Sequence, residues 1–268
     1  MANVVYDNFY LANEVEDQFE SHLDMMRFCT VDRTLEGTDG MKKLVNVYTA
    51  TNGTEKLGMG EGNTKSIEVG HTQREYVIEL AQNRFEWFDE EAMKDPMMVP
   101  VGMKHAGTDM FNTVNGDVFG EFEKAPLEVA VSAYSFDAFA DAVAKLELPE
   151  NADIEVFGWV NSNAKAALRK ALKDELKYVE AFARHGYIGT VCGVNLYDKR
   201  NAKDNEICIG TMKAVTTFIK TGTEVELSTK GNRSAEDANI RKNSAHSRKY
   251  YVVALTNETQ AVRIVKGN

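Results

Sequence analysis

The segment KKLVNVYTATNGTEKLGMGEGNTKSIEVGHTQREYVIELAQNRFEWF, residues 42–88, constrains this chain more than any other. Val45, Val47 and Thr49 alternate with Leu44, Asn46 and Tyr48, and Tyr76, Ile78 and Leu80 alternate on the return, which predicts two β arms. The tip from Asn52 to Asn63 carries Gly53, Gly58, Gly60 and Gly62, so its backbone is permissive. A ribbon of this length has no core of its own and is marginal in water unless something packs against it. It suits subunits that hold one another better than it suits a closed pocket.

A long helix is predicted next, from about Pro96 to Glu123. Val99, Met103, Ala106, Met110, Val114, Val118 and Phe122 recur at spacings of three and four and form one apolar stripe. Pro96 fits its first turn and Pro126 marks its end. Gly102, Gly107, Gly116 and Gly120 each cost about 1 kcal/mol relative to alanine in an exposed helix, so this one needs packing partners.

The other segments divide by composition. Residues 1–36 read as an arm with a short helix at about 12–26, where Val15, Phe19, His22, Leu23 and Met26 share a face. Residues 127–226 read as an α/β lobe. In it Ser135 caps a helix with Phe136, Phe139, Ala140, Val143 and Leu146 inward. Ile154–Val160 is a buried strand, and Asn161 or Ser162 caps a helix with Ala164, Ala167, Leu168, Ala171 and Leu172 inward. Residues 186–198 and 206–219 are strands with glycine bends. Residues 228–249 read as a polar loop, and Tyr250–Leu255 with Ala261–Val265 as a closing hairpin. Arm, tip and loop together suggest surfaces completed by neighbouring copies, because compact domains rarely carry long structureless loops.

Composition narrows the function classes. The 43% hydrophobic content suffices for a core in 268 residues, as one large domain or two lobes. The net charge of −10 excludes wrapping of nucleic acid by general attraction, which runs on Lys and Arg. The charge is unevenly spread: residues 1–40 hold nine acids against two bases, a net of −7, and residues 228–250 hold six bases against two acids, a net of +4. The segments are either two solvated stretches or an acidic arm meeting a neighbour's basic segment. Cys29, Cys192 and Cys208 are widely spaced with no CxxC, which predicts free thiols in a reducing compartment. No signal peptide is read in Met1–Leu11, and no run approaches a membrane span.

The chemical motifs are weak. GMGEG at 58–62 resembles a phosphate loop, but it joins two strands and no GKS or GKT follows. His22, His71, His105, His185 and His246 show no ligand spacing. Asp89, Glu90 and Glu91 could form a carboxylate pair for acid/base work, but they precede a helix and suit its N-terminal dipole. No GxSxG elbow occurs, and Cys192 reads as a small buried residue. Phe85, Trp87 and Phe88 could stack bases, but the three acids beside them repel phosphate, which favours a core or interface cluster.

The order of acidic arm, glycine-tipped hairpin, long helix, α/β lobe and terminal β segment resembles the major capsid proteins of tailed double-stranded DNA bacteriophages, over nearly the whole chain. The stretches at 70–97, 166–197 and 250–267 carry the likeness at sequence level. The resemblance implies an α+β tailed-phage major capsid fold: residues 1–40 an N-terminal arm, 41–88 an extended loop, 89–126 and 227–268 a peripheral domain with a long spine helix, and 127–226 an axial α/β domain. It implies a virion protein without enzymatic activity or cofactor. Copies would form pentamers and hexamers of an icosahedral shell around phage DNA, bound without sequence specificity and with no membrane. A portal, accessory proteins and a separate scaffolding protein would be partners, since no large cleaved segment is read before Asp7. Candidate inter-subunit contacts are Gly53, Lys56, Gly58, Gly60, Gly62 and Lys65 at the tip, and Arg241, Lys242, Arg248 and Lys249 in the basic loop. Some relatives join subunits by Lys–Asn isopeptide bonds. Lys56 and Lys65 flank the tip, but no Asn partner or catalytic Glu is identifiable, and both read as solvated. The alternatives are an encapsulin-type shell around cargo, a soluble α/β enzyme with Asp89 or Glu90 as base, and a tail-tube protein.

Overall fold

Alternation and apolar runs become twelve strands and five α-helices in a computed structural model, which describes residues 23–148, 154–171 and 187–267. The strands are β1 Thr30–Asp32, β2 Lys42–Ala50, β3 Val69–Val77, β4 Glu79–Phe88, β5 Leu127–Val131, β6 Val156–Val160, β7 Tyr187–Val191, β8 Val194–Asp198, β9 Glu206–Thr211, β10 Val215–Ser228, β11 Lys242–Leu255 and β12 Ala261–Lys266. The helices are α1 Asp89–Lys94, α2 Met98–Phe122, α3 Phe136–Lys145, α4 Ser162–Ala171 and α5 Ala235–Asn239. Most of the helix expected at 12–26, with Leu172 and the arm's first acids, lies outside the described residues.

The long helix is α2. Ala106, Met110, Val114, Val118 and Phe122 are buried as the stripe predicts, joined by Asn115 and Phe119, whereas Val99 and Met103 are half-buried. The first turn holds Pro100 rather than Pro96, which sits in the preceding turn. Gly102 has a packing reason: a Cβ there would lie 2.3 Å from the Phe85 ring of β4. Only glycine lets the helix settle onto that ring.

Helix α2 packs across a four-stranded sheet of order β1-β10-β11-β4. Two expectations change here. The return arm of the hairpin ends at Val77, and β4 pairs instead with β11 over Glu79↔Tyr251 to Phe88↔Lys242. The polar loop expected at 228–249 is largely strand: β10 and β11 pair out to Ser228↔Ser244, with α5 in the turn between them. Both faces of β10 beyond Thr221 are exposed, so burial imposed no hydrophobic alternation there.

The lobe is a six-stranded sheet of order β5-β12-β9-β6-β8-β7. Strands β6 and β9 are buried at every position, which their unbroken apolar runs dictate for central strands. Ser135 caps α3 by accepting the Ala138 N–H at 3.3 Å, and Asn161 caps α4 by accepting the Ala164 N–H at 2.7 Å. Ala138, Phe139 and Ala142 face the core from α3, while Phe136 and Ala140 are exposed, contrary to expectation. Of the glycine bends, Gly193 turns β7 into β8 at φ +79°, whereas β9 passes to β10 through Met212, Lys213 and Ala214. Strand β12 does not fold back on β11 as a closing hairpin. The Thr256 and Asn257 N–H groups both donate to the Ala214 carbonyl and turn the chain into the lobe, where β12 lies between β5 and β9.

Part of the segment read as an arm is core. Met25 is fully buried and Phe28 nearly so, in a cluster with Val118, Phe119, Phe122, Phe157 and Trp159. The Met25 N–H donates to Asn115 Oδ1 at 2.9 Å, and β1 runs parallel to β10.

Candidate assembly interface

Strands β2 and β3 pair without a bulge from Lys42↔Val77 to Ala50↔Val69. Nine residues at about 3.3 Å each make a ribbon about 30 Å long. One face carries Leu44, Tyr48, Val69 and Val77, exposed at 53%, 65%, 65% and 51%, so nothing in the subunit covers it. At the root, Ile78 is buried and its N–H donates to the Met41 carbonyl at 2.8 Å. Tyr76 stacks on Phe218 at 5.3 Å. Two ion pairs flank that stack: Lys43 Nζ lies 3.1 Å from Asp32, and Arg74 lies 3.1 Å from Glu258. Burial pushes the Asp32 carboxyl up, but hydrogen bonds from Thr34 and Lys43 with the lysine's charge outweigh it and hold it below the ordinary range. No local sequence signal marks these root contacts, because every partner is distant in the chain.

The tip is ordered where the sequence suggested a free hinge. Glu55 organises it: its carboxylate accepts the Thr64 N–H at 2.8 Å and the Thr64 hydroxyl at 2.9 Å, and lies 3.7 Å from Lys65 Nζ. Asn63 Nδ2 donates to the Gly53 carbonyl at 3.2 Å. Gly53 is buried, and a Cβ on it would lie 2.8 Å from the Ile67 nitrogen, so glycine is required. Gly60 turns at φ +86° and Gly62 borders open space. The Gly58 N–H donates to Glu61 at 2.8 Å, so a carboxylate already sits where a phosphate loop would hold its anion. Lys56, Leu57 and Met59 point outward from this frame.

The hydrogen bonds from Thr64 hold the Glu55 carboxyl below its usual range. A lowered carboxyl contributes order that is complete above the ordinary carboxylate range and lost as pH falls through its folded value. Glu55→Ala is therefore expected to speed amide hydrogen exchange at Thr64 and Lys65 at neutral pH, and acidification of the unmodified chain to do the same. Unchanged exchange in the variant would show that the tip is held otherwise.

The basic segment is answered largely within the chain. Arg233, almost fully buried, pairs with Asp89 at 2.6 Å and donates to Asn243. Arg241 pairs with Glu90, Lys242 with Glu86 at 2.6 Å, and Arg248 with Glu226 at 2.5 Å. Lys249 lies over the Tyr251 ring at 5.6 Å, and burial, with Arg33 nearby, pulls its amine below the usual lysine range. The same contacts define the role of the acidic triplet. Glu91 caps α1 by accepting the Phe88 N–H at 3.0 Å. Arg233 and Asn243 hold the Asp89 carboxyl low, and its own backbone N–H with Arg241 does so for Glu90. These are ionised structural carboxylates.

The remaining motifs also take structural places. Phe85 stacks on the buried Trp87 at 5.3 Å, beneath α2. His71 lies beside Tyr48 on the ribbon and His105 is exposed on α2, while His22 and His185 lie outside the described residues. None of the three cysteines forms a disulfide, and burial pushes the Cys29 and Cys208 thiols up. Cys192 is half-buried at the β7–β8 turn with φ +50°, not packed in the core. Among the described residues no group of three His, Cys, Asp or Glu side chains could hold a metal ion, and no helix is long and apolar enough to cross a membrane.

No family model and no curated protein matches the chain by sequence. Solved structures match it by shape. The capsid of Cyanophage P-SCSP1u is similar at a TM-score of 0.73 and 10% identity, over 93% of this chain and 90% of that one. The mature capsid of bacteriophage PhiM1 is similar at 0.71 and 11% identity, over 100% and 91%. The chain has the tailed-phage major capsid fold. That fold accounts for the ribbon, the spine helix α2 and the six-stranded lobe as parts of one architecture. A virus-like particle from Pyrococcus furiosus is also similar, at a TM-score of 0.54 and 16% identity over 95% and 96%.

Proposed function

We propose that this protein is a major capsid protein whose copies assemble as pentamers and hexamers into an icosahedral shell around phage DNA. The observation that carries the reading is the ribbon of residues 42–77: it projects about 30 Å with an uncovered apolar face, in a chain with the tailed-phage capsid fold. In this reading the ribbon is the extended loop. The four-stranded sheet with α2 is the peripheral domain, the six-stranded sheet with α3 and α4 is the axial domain, and residues 1–22 reach a neighbour. A scaffolding protein, a portal and accessory proteins complete the assembly in the host cytoplasm. The net charge of −10 keeps packaged DNA from being gripped by the wall.

Expression with and without a scaffolding partner, followed by electron microscopy, tests the proposal. Closed shells are expected. Dispersed monomers under all conditions would overturn it, and stacked rings would indicate a tail tube. The likeness to a virus-like particle supports a second reading, a shell around protein cargo. Particles purified from the native host decide between the two: double-stranded DNA inside supports the capsid, and enzymes lining the wall support the cargo shell.

A further inference from the structure

We propose that the groove between α2 and the β4–β11 sheet is the socket for the hairpin tip of a second copy. The inference rests on the shell reading and adds where the ribbon ends. The groove encloses about 660 Å³. Residues 79–83 of β4 form one wall and the exposed side chains of Asp109, Thr113 and Asp117 on α2 form the other. Its floor is apolar, built from Met110, Tyr251 and Val253. Gly116 and Gly120 keep it open, since a Cβ on either would meet nothing within 4 Å. The rim is acidic: Glu79, Asp109, Asp117 and Glu121 line it, and Lys124, its lysine, is engaged by Glu121 at 2.5 Å. The Tyr251 hydroxyl donates to Asp117 at 2.5 Å and fixes that part of the rim.

The tip has the complementary pattern. Leu57 and Met59 stand out at its apex, 47% and 107% exposed, on a frame held by Glu55, and Lys56 lies beside them. Methionine adapts to an irregular apolar floor. A lysine beside it meets the uncompensated carboxylates, and opposite charge both steers the encounter and fixes its register. A tip already ordered by hydrogen bonds loses little further entropy on docking.

The occupant cannot be the subunit's own tip. The groove wall starts at Glu79, one residue beyond the buried root residue Ile78. The tip sits at the far end of a bulge-free ribbon, about 30 Å away. A second copy supplies the only tip of this sequence that can reach the socket.

Disulfide trapping tests the contact. In a Cys192→Ser background, Met59→Cys is combined with Thr113→Cys on the helix wall or with Gln82→Cys on the sheet wall. Particles are verified by electron microscopy, oxidised and run on non-reducing gels. The expected result is a ladder at multiples of 29.9 kDa from at least one pair and from no single variant. Assembled particles without a ladder, or a ladder from Met59→Cys alone, would overturn the socket while leaving the shell reading intact. If the unmodified chain forms no particles, the shell reading falls and the socket with it. As an independent readout, Lys56→Glu is expected to lower particle yield at least tenfold, and Asp109→Lys to restore it. Failure of that rescue, with both chains folded, also counts against the socket.

Discussion

Replacing Phe28 with alanine is expected to destabilise the subunit by about 3–5 kcal/mol, the range for removing a buried aromatic ring. Phe28 is 4% exposed and packs edge-on against Phe157 at 4.9 Å and Trp159 at 5.6 Å, with Tyr197 at 4.7 Å. Such pairs contribute beyond the area they bury. The ring also plugs the place where helix α2 meets the lobe sheet, since Phe119 and Phe122 of α2 reach the same tryptophan. Its loss leaves a cavity between two layers that cannot collapse without moving the helix. Urea unfolding of the unassembled subunit reads the effect. A loss below about 1 kcal/mol would mean that residues 25–32 peel from the body before the rest unfolds.

Deleting Thr54–Gly62 is expected to leave a folded subunit and abolish shells. The deletion joins Gly53 to Asn63, which already approach each other through a hydrogen bond of 3.2 Å, so the ribbon can close. None of the removed residues belongs to the core clusters. The apolar apex and Lys56 disappear. If each subunit in a ring loses one such contact, the deficit repeats at every interface. Circular dichroism and thermal unfolding should match the parent chain, with particles absent by electron microscopy. Loss of folding would place the tip in the core. Normal particles would remove it from assembly altogether.

Much of this architecture is legible in the residues. The stripe on α2 needed no structure, because a helix packed along one side must repeat every three or four residues. The unbroken apolar runs at β6 and β9 announced central strands. Strand β11 escaped because α2 crosses it closely: its buried Asn243, Ala245 and Ser247 are small, so KNSAHSRK reads as polar loop. The lobe position of β12 was hidden for another reason. Two strand-like runs separated by a short polar turn suggest a hairpin, and only the paired donors to Ala214, distant in sequence, send the chain elsewhere. At the tip, the glycines were visible, but Glu55 as its organiser was not, since a carboxylate among polar residues carries no periodic signal.

The position of β12 sets a clock on biosynthesis. Strand β5 is complete at Val131, yet its parallel partner is not complete until Lys266, 135 residues later. At bacterial elongation rates that interval is on the order of 10–30 s. Throughout it the edge of β9 that β12 will cover stays open, and the lobe cannot close around Ile207, Ile209 and Ile264. A half-made chain therefore exposes a sheet edge rather than a finished surface, and ribosome-bound copies sharing one messenger are poor partners for one another. Completion of the polypeptide, not the arrival of neighbours, licenses a subunit to join a lattice.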